Sequence, residues 1–152
     1  MSEANGHRKK IVIFDLDGTL ALVEHRQHLV RGKKKKKWRE FFAACTADTV
    51  NRPVAEMARV LREAGYQIVI FSGRSDEVRA ETEKWLSENN VLYDLLVMRR
   101  EGDFSPDDQL KREWLERFNK KDILCVFDDR DKVVRMWRQQ GLTCFQVAPG
   151  DF

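Results

Sequence analysis

A chain of 152 residues, 42% hydrophobic and 35% charged, has the size and composition of one globular domain with a core of its own. No run of 18 apolar residues occurs, which excludes a membrane-spanning helix, and the apolar stretch after the polar first ten residues is too short for the core of a signal peptide. The net charge of +3 is unevenly spread: residues 24–40 hold eight Lys/Arg against Glu24 and Glu40, so this segment carries +6 and the remainder −3.

Residues 1–9 read as a flexible terminus. Lys10 to Phe14 (KIVIF) follows as a buried strand. Residues 21–50 interrupt the pattern and read as a small insertion with a short helix around Trp38 to Ala44. Asn51 to Ala64 then forms an amphipathic helix, with Val54, Met57, Ala58 and Leu61 on one face, Pro53 near its start and Gly65 at its end. Gln67 to Phe71 (QIVIF) is a second strand, and Val78, Thr82, Trp85 and Leu86 mark a second helix. A weaker strand lies within Leu92 to Met98. Ser105 is expected to cap the next helix, with Pro106 in its first position and Leu110, Trp114 and Phe118 on its buried face. Ile123 to Phe127 (ILCVF), a helix through Val133, Met136 and Trp137 closed by Gly141, and Thr143 to Val147 complete the series.

Short apolar strands alternating with helices predict right-handed βαβ units, a parallel five-stranded sheet and three layers. The three cysteines (Cys45, Cys125, Cys144) supply neither a disulfide framework nor zinc spacing, so a reducing cytoplasm is the expected compartment. His25 and His28 lack further ligands nearby and read as entrance or surface residues. Trp85, Trp114 and Trp137 fall on buried helix faces.

In an open parallel sheet the carboxyl ends of the strands form the ligand crevice. Asp15 and Asp17 follow the first strand, Ser72, Gly73 and Arg74 the second, and Asp128, Asp129 and Arg130 the fourth. The topology therefore directs four carboxylates, a hydroxyl and two arginines to one edge. Four carboxylates need compensation, and a hard divalent cation such as Mg²⁺ supplies it together with a substrate phosphate. Asp15-Leu16-Asp17-Gly18-Thr19-Leu20 is not a calcium loop, because Thr19 and Leu20 stand where that loop needs Asp/Asn and Gly. Two aspartates around a Gly18 bend can instead serve one phosphate, one attacking phosphorus and the other protonating the leaving oxygen.

This hexapeptide after an apolar strand resembles the first motif of the haloacid dehalogenase (HAD) superfamily of phosphatases and phosphotransferases. Ser72 resembles its second motif, Lys111 its third, and Asp128 with Asp129 its fourth. The resemblance covers residues 10–152 and implies a three-layer Rossmann-like HAD fold with a minimal cap at 21–50. Phe71-Ser72-Gly73-Arg74, Arg99 with Gly102-Asp103, Asp107-Asp108 with Lys111, Asp128-Asp129-Arg130, Val134 to Arg138 and the tail from Gln146 resemble, more narrowly, the 3′-phosphatase domain of bacteriophage polynucleotide kinase-phosphatase. That resemblance implies Asp15 as a nucleophile forming an aspartyl-phosphate and Asp17 as acid and then base. It implies phosphate or substrate contacts from Thr19, Ser72, Gly73, Arg74, Arg99, Lys111 and Arg130, with Asp107 in support. It further implies Mg²⁺ held by Asp15, Asp17 through its carbonyl, Asp128 and Asp129.

The expected reaction is hydrolysis of a phosphomonoester, with a nucleic-acid 3′ end as substrate. A nucleotidase or other small-substrate phosphatase is the enzymatic alternative, and a catalytically silent nucleic-acid-binding module the non-enzymatic one. No P-loop motif is present, so 5′ phosphorylation is not expected from this chain alone. The run Lys33 to Lys37 reads either as a solvated loop or as a grip on a nucleic-acid backbone beside a stacking Trp38. Trp38, Phe41 and Phe42 also suit a helix anchored on the core.

Overall fold

The computed structural model describes residues 8–30 and 36–152. The expected flexible terminus through residue 7 and the lysines at 33–35 lie outside the described residues.

Five strands form one parallel sheet: β1 (Ile11–Asp15), β4 (Gln67–Ser75), β5 (Leu95–Arg99), β6 (Ile123–Asp128) and β7 (Cys144–Gln146). Their order across the sheet is β5-β4-β1-β6-β7. β1 sits at the centre, where both neighbours pair with it in parallel. Successive side chains of a strand point to opposite faces, and both faces of β1 are buried. Val12 and Phe14 join Ile68 and Ile70 on one face, beneath α2 (Arg52–Glu63) and α3 (Arg79–Glu88). Ile11 and Ile13 join Val69 and Phe71 on the other, beneath α4 (Asp107–Leu115) and α5 (Asp131–Gln139). Covering both faces is why these strands read as continuous apolar runs. Three layers result, as the alternation of elements predicts.

Four boundaries depart from expectation. β4 runs on through Ser72, Gly73, Arg74 and Ser75, so these residues end the strand rather than follow it. Gly73 and Arg74 have no partners on β5, because Ser72 pairs with Met98 and Ser75 already with Arg99. β5 starts only at Leu95, because Asp94 turns its carboxylate to the Ile68 N–H at 2.8 Å. At α4 the cap is Pro106, not Ser105, and Asp107 is the first helical residue. The Ser105 carbonyl is taken by Arg99 and its N–H by Asp103, which leaves the chain extended through Pro106. α4 also stops before Phe118, which still packs on the core.

The insertion after β1 is small. Two short antiparallel strands, β2 (Ala21–Leu22) and β3 (Thr49–Val50), bring its ends together. Between them lie a 3-10 turn over Glu24–Leu29, the helix α1 (Trp38–Ala43) and a second 3-10 turn over Ala44–Ala47. Trp38, Phe41 and Phe42 pack on one another, with Phe41 buried and Trp38 partly open.

Candidate active site

Asp15 is the last residue of β1 and lies beside Asp128, the last residue of β6, because the two central strands end together. After Asp15 the chain turns so tightly that the N–H groups of Leu20 and Ala21 both donate to the Leu16 carbonyl at 2.9 Å. Gly18 sits in this turn at φ +83°, and a Cβ there would stand 2.1 Å from Asp129 Oδ2. Only glycine therefore lets the turn close against Asp129. Thr19 is buried under the turn, donating to Asp15 Oδ2 at 3.0 Å and Asp129 Oδ1 at 3.4 Å.

Lys111, projecting from α4, is buried and donates to Asp15 Oδ1 at 2.7 Å and Asp128 Oδ2 at 3.1 Å. Trp137 also donates to Asp128 Oδ2, and the Asp129 N–H to Asp128 Oδ1. One carboxylate oxygen from each of Asp15, Asp128 and Asp129 falls within 4.8 Å of the other two. Burial, then the nearby Asp128 charge, pushes the Asp15 carboxyl well above the usual carboxylate range despite Lys111. Asp129 is pushed up to about 6, again by burial and then Asp128. Burial works against the charged form of Lys111, but Asp128 and Asp15 outweigh it and raise the ammonium's pKa. Three buried carboxylates thus share one ammonium. Hard oxygen donors at this spacing fit a divalent cation such as Mg²⁺, which would relieve the remaining repulsion.

Asp17 lies two residues from Asp15 in a different electrostatic setting. Its Oδ1 accepts from Arg26 Nη2 and Arg74 Nε, both at 2.8 Å. Burial acts to raise its pKa, yet Arg74 and Arg26 overcome this and hold the carboxyl below its usual range. Both arginines are fully buried, and both also grip Asp48: Arg26 through Nε and Nη2 at 2.8 and 2.7 Å, Arg74 through Nη2 at 2.8 Å. His25 meets Asp48 at 2.6 Å, and Trp85 donates to the Asp48 carbonyl at 2.8 Å. Arg26 continues into the cap, donating to the Phe41 carbonyl and lying 4.2 Å from the centre of the Phe41 ring.

At the rim, Asp107 pairs with Arg99 and with Arg130. Arg99 also donates to the Gly73 carbonyl at 2.8 Å. A Cβ on Gly73 would stand 2.8 Å from Asp107 Oδ1, so the bare backbone lets this rim close. These groups open on a cavity of about 970 Å³.

Of the residues expected at the site, Asp15, Asp17, Gly73, Arg99, Lys111, Asp128, Asp129 and Arg130 line this cavity. Thr19, Ser72 and Arg74 stand behind its wall, fully buried. Ser72 Oγ accepts from the Arg74 N–H, and Arg74 is committed to Asp17, Asp48 and Thr82. Asp17 Oδ1 accepts from Arg26 and Arg74, and Asp17 is not one of the three clustered carboxylates. Arg26, one of the eight Lys/Arg of the basic segment, is buried; Lys36 and Lys37 of that segment are exposed. Sequence reasoning missed both Arg26 and Asp48. Asp48 stands 22 residues from Arg26 and 26 from Arg74, so no local spacing points to either pairing.

The sequence model of the polynucleotide kinase PNKP phosphatase domain family matches residues 9–152. Two structures of the Pnkp1/Rnl/Hen1 complex, one described as an RNA repair complex, contain a chain 36% identical to this one. They align over 95% of this chain with TM-scores of 0.79 and 0.81. A protein of Autographa californica nuclear polyhedrosis virus, described as a bifunctional polynucleotide kinase/RNA ligase, is 29% identical over 91% of this chain. The chain spans only 19% of that viral relative and 44% and 48% of the two structural relatives. The class C acid phosphatase of Bacillus anthracis shares the fold at 14% identity, with a TM-score of 0.69 over 99% of this chain and 70% of its own. The chain belongs to the PNKP phosphatase domain family and is a HAD-type phosphatase, a phosphoric monoester hydrolase.

Proposed function

We propose that this domain removes 3′-phosphates from nucleic-acid ends, with Mg²⁺ and through an aspartyl-phosphate on Asp15. The observation that carries the reading is the contrast between two carboxylates on one turn. Asp15 lies with Asp128, Asp129 and Lys111, whereas Asp17 lies apart between Arg26 and Arg74. Carboxylates placed in opposed settings take different roles.

Asp15 attacks phosphorus, and the bond from phosphorus to the 3′ oxygen breaks. Asp17 passes a proton to that leaving oxygen. Asp17 rests as a carboxylate, so this proton enters with the substrate monoanion. Water then attacks the phosphoryl group, Asp17 takes the water's proton, and the Asp15–phosphorus bond breaks to release phosphate. Lys111 offsets charge on Asp15 and on the phosphoryl oxygens. A bound cation held by Asp15, Asp128 and Asp129 would neutralise the approaching phosphate. Arg99 and Arg130 line the mouth and suit the anionic backbone next to the end. An insertion of about thirty residues between Ala21 and Val50 is small for a closing cap domain, which suits a polymeric substrate.

Kinship with a chain in an RNA repair complex supports nucleic-acid ends as partners. Three buried free cysteines, and no helix among the described residues long and apolar enough to cross a membrane, support a reducing cytoplasm. The test is a phosphate-release panel of 3′- and 5′-phosphorylated oligonucleotides, mononucleotides and sugar phosphates, with Mg²⁺ or with EDTA. Preferred release from 3′-phosphorylated oligonucleotides, lost in EDTA, is expected. Release from mononucleotides without such a preference would make the domain a nucleotidase.

A further inference from the structure

Phe104 is 88% exposed, the most exposed of the large apolar side chains among the described residues. It lines the cavity that also contains Asp15. A single exposed apolar residue ordinarily needs no explanation. This one, however, sits on a held backbone. Arg99 Nη1 donates to the carbonyls on either side of it, Asp103 at 2.9 Å and Ser105 at 2.7 Å, and the Ser105 N–H donates to Asp103 Oδ1. Arg99 is in turn fixed by Asp107 and the Gly73 carbonyl. The ring is thus carried outward on a braced loop directly joined to the rim of the site.

The cap presents a second aromatic surface to the same cavity. Trp38 is 37% exposed and stacks on Phe42 with ring centres 5.9 Å apart and planes at 26°. The Lys36 ammonium lies 5.5 Å from the centre of the Trp38 ring. Arg130 and Lys132 line the cavity as well. One exposed and one partly exposed aromatic ring among cations, leading to a buried carboxylate proposed to attack phosphate, complement a molecule that alternates flat rings with anions. Every nucleobase offers a π face, so such contacts hold a strand without reading its sequence. A base inside a duplex already has both faces stacked, whereas an unpaired base has them free.

We propose that Phe104 and Trp38 stack on the unpaired nucleobases at the end of a single strand whose terminal phosphate reaches Asp15. This rests on the nucleic-acid reading given under the proposed function. The test uses the full chain with Mg²⁺ and two single-stranded 3′-phosphorylated oligonucleotides. One carries a base at every position, and the other is abasic at its last two positions. The measured quantity is kcat/KM for the base-bearing strand divided by kcat/KM for the abasic one. Phe104→Ala should lower this ratio by about tenfold, mainly through KM. Phe104→Trp should restore it and Phe104→Leu should not, since bulk alone does not stack. An unchanged ratio in Phe104→Ala, with the wild type still favouring 3′-phosphorylated strands, overturns the stacking proposal and leaves the function standing. A wild type that releases no phosphate from any oligonucleotide overturns both. A wild-type dimer in sedimentation that Phe104→Ala dissolves would assign the ring to a self-contact and also overturn the proposal.

Discussion

At the ends of β1 and β6, Asp15 and Asp128 are held by paired strands packed with apolar residues on both faces. The cap between Ala21 and Val50 reaches the same cavity differently, joined to the core through Arg26, Asp48 and Arg74. Burying a side chain such as Ile13 or Ile70 contributes about 1.5–3 kcal/mol, and losing one methyl group from it costs only about 0.5–1.5 kcal/mol. A buried ion pair adds little net stability, yet removing one partner leaves a charge stranded at a cost of about 3–5 kcal/mol. The apolar part is therefore tolerant of small changes, and the ionic part brittle. Asp17, the proposed acid and base, shares both buried arginines with Asp48 and so depends on the brittle part.

The largest expected effect lies at the strand ends. Asp15→Asn removes the proposed nucleophile and should lower kcat by more than about 10³-fold. Thermal unfolding should stay cooperative, with Tm unchanged or raised, because a carboxylate repelled by Asp128 has gone. Turnover near wild type would exclude the covalent route. Asp17→Asn should lower kcat by about 10²- to 10⁴-fold with an alkoxide leaving group. The loss should shrink with p-nitrophenyl phosphate, whose leaving group needs less protonation. An equal loss on both substrates would give Asp17 a structural role and erase the distinction between the two carboxylates.

Asp48→Asn sharpens the comparison from the cap side. It leaves the two buried guanidinium groups of Arg26 and Arg74 with the single carboxylate of Asp17 and should cost about 3–5 kcal/mol, or roughly 6–20 °C in Tm. Val126→Ala, a core truncation with no charge involved, should leave the leaving-group dependence of turnover untouched. Asp48→Asn should alter it, because the two arginines that hold Asp17 lose the second carboxylate that fixes them. If the two variants differ only in Tm, the ionic join serves stability alone.

The smallest effect concerns protons and the cation. Asp15 and Asp129 have raised pKa values in the folded state, Asp129 about 6. The folded chain then holds protons that the unfolded chain releases, so this contribution to stability is present below the ordinary carboxylate range and lost as pH rises toward about 6 and above. A divalent cation must displace those protons to bind. Mg²⁺ should therefore raise Tm by a few degrees at pH 7 and by less at pH 5, read by calorimetry with EDTA as reference. An equal rise at both pH values would place the cation elsewhere.

The same contrast governs what could be read from the sequence. The central strands announce themselves as apolar runs, and their carboxyl ends place Asp15 and Asp128 together by topology alone. Lys111 is legible only by resemblance, since nothing in its own helix shows that it turns inward to Asp15. Arg26 and Asp48 escaped because a buried ion pair looks, in sequence, like two surface charges. The helix start at Asp107 was misplaced by one residue for a similar reason: Arg99 captures the Ser105 carbonyl from outside the local sequence.

The two unpaired residues at the end of β4 carry a lesson about insertions and deletions. Gly73 turns its carbonyl to Arg99, while Arg74, its neighbour, drives inward to Asp17 and Asp48. Side chains along a strand alternate strictly, so losing one residue here would reverse the direction of everything between the break and the next fixed pair. Arg74 would then leave the cap, or Ser75 would leave its place opposite Arg99. A loop on this surface can lengthen or shorten with little consequence, but these few positions allow no change of reading length. Lineages descended from such a domain should keep the count from Ser72 to Ser75 constant.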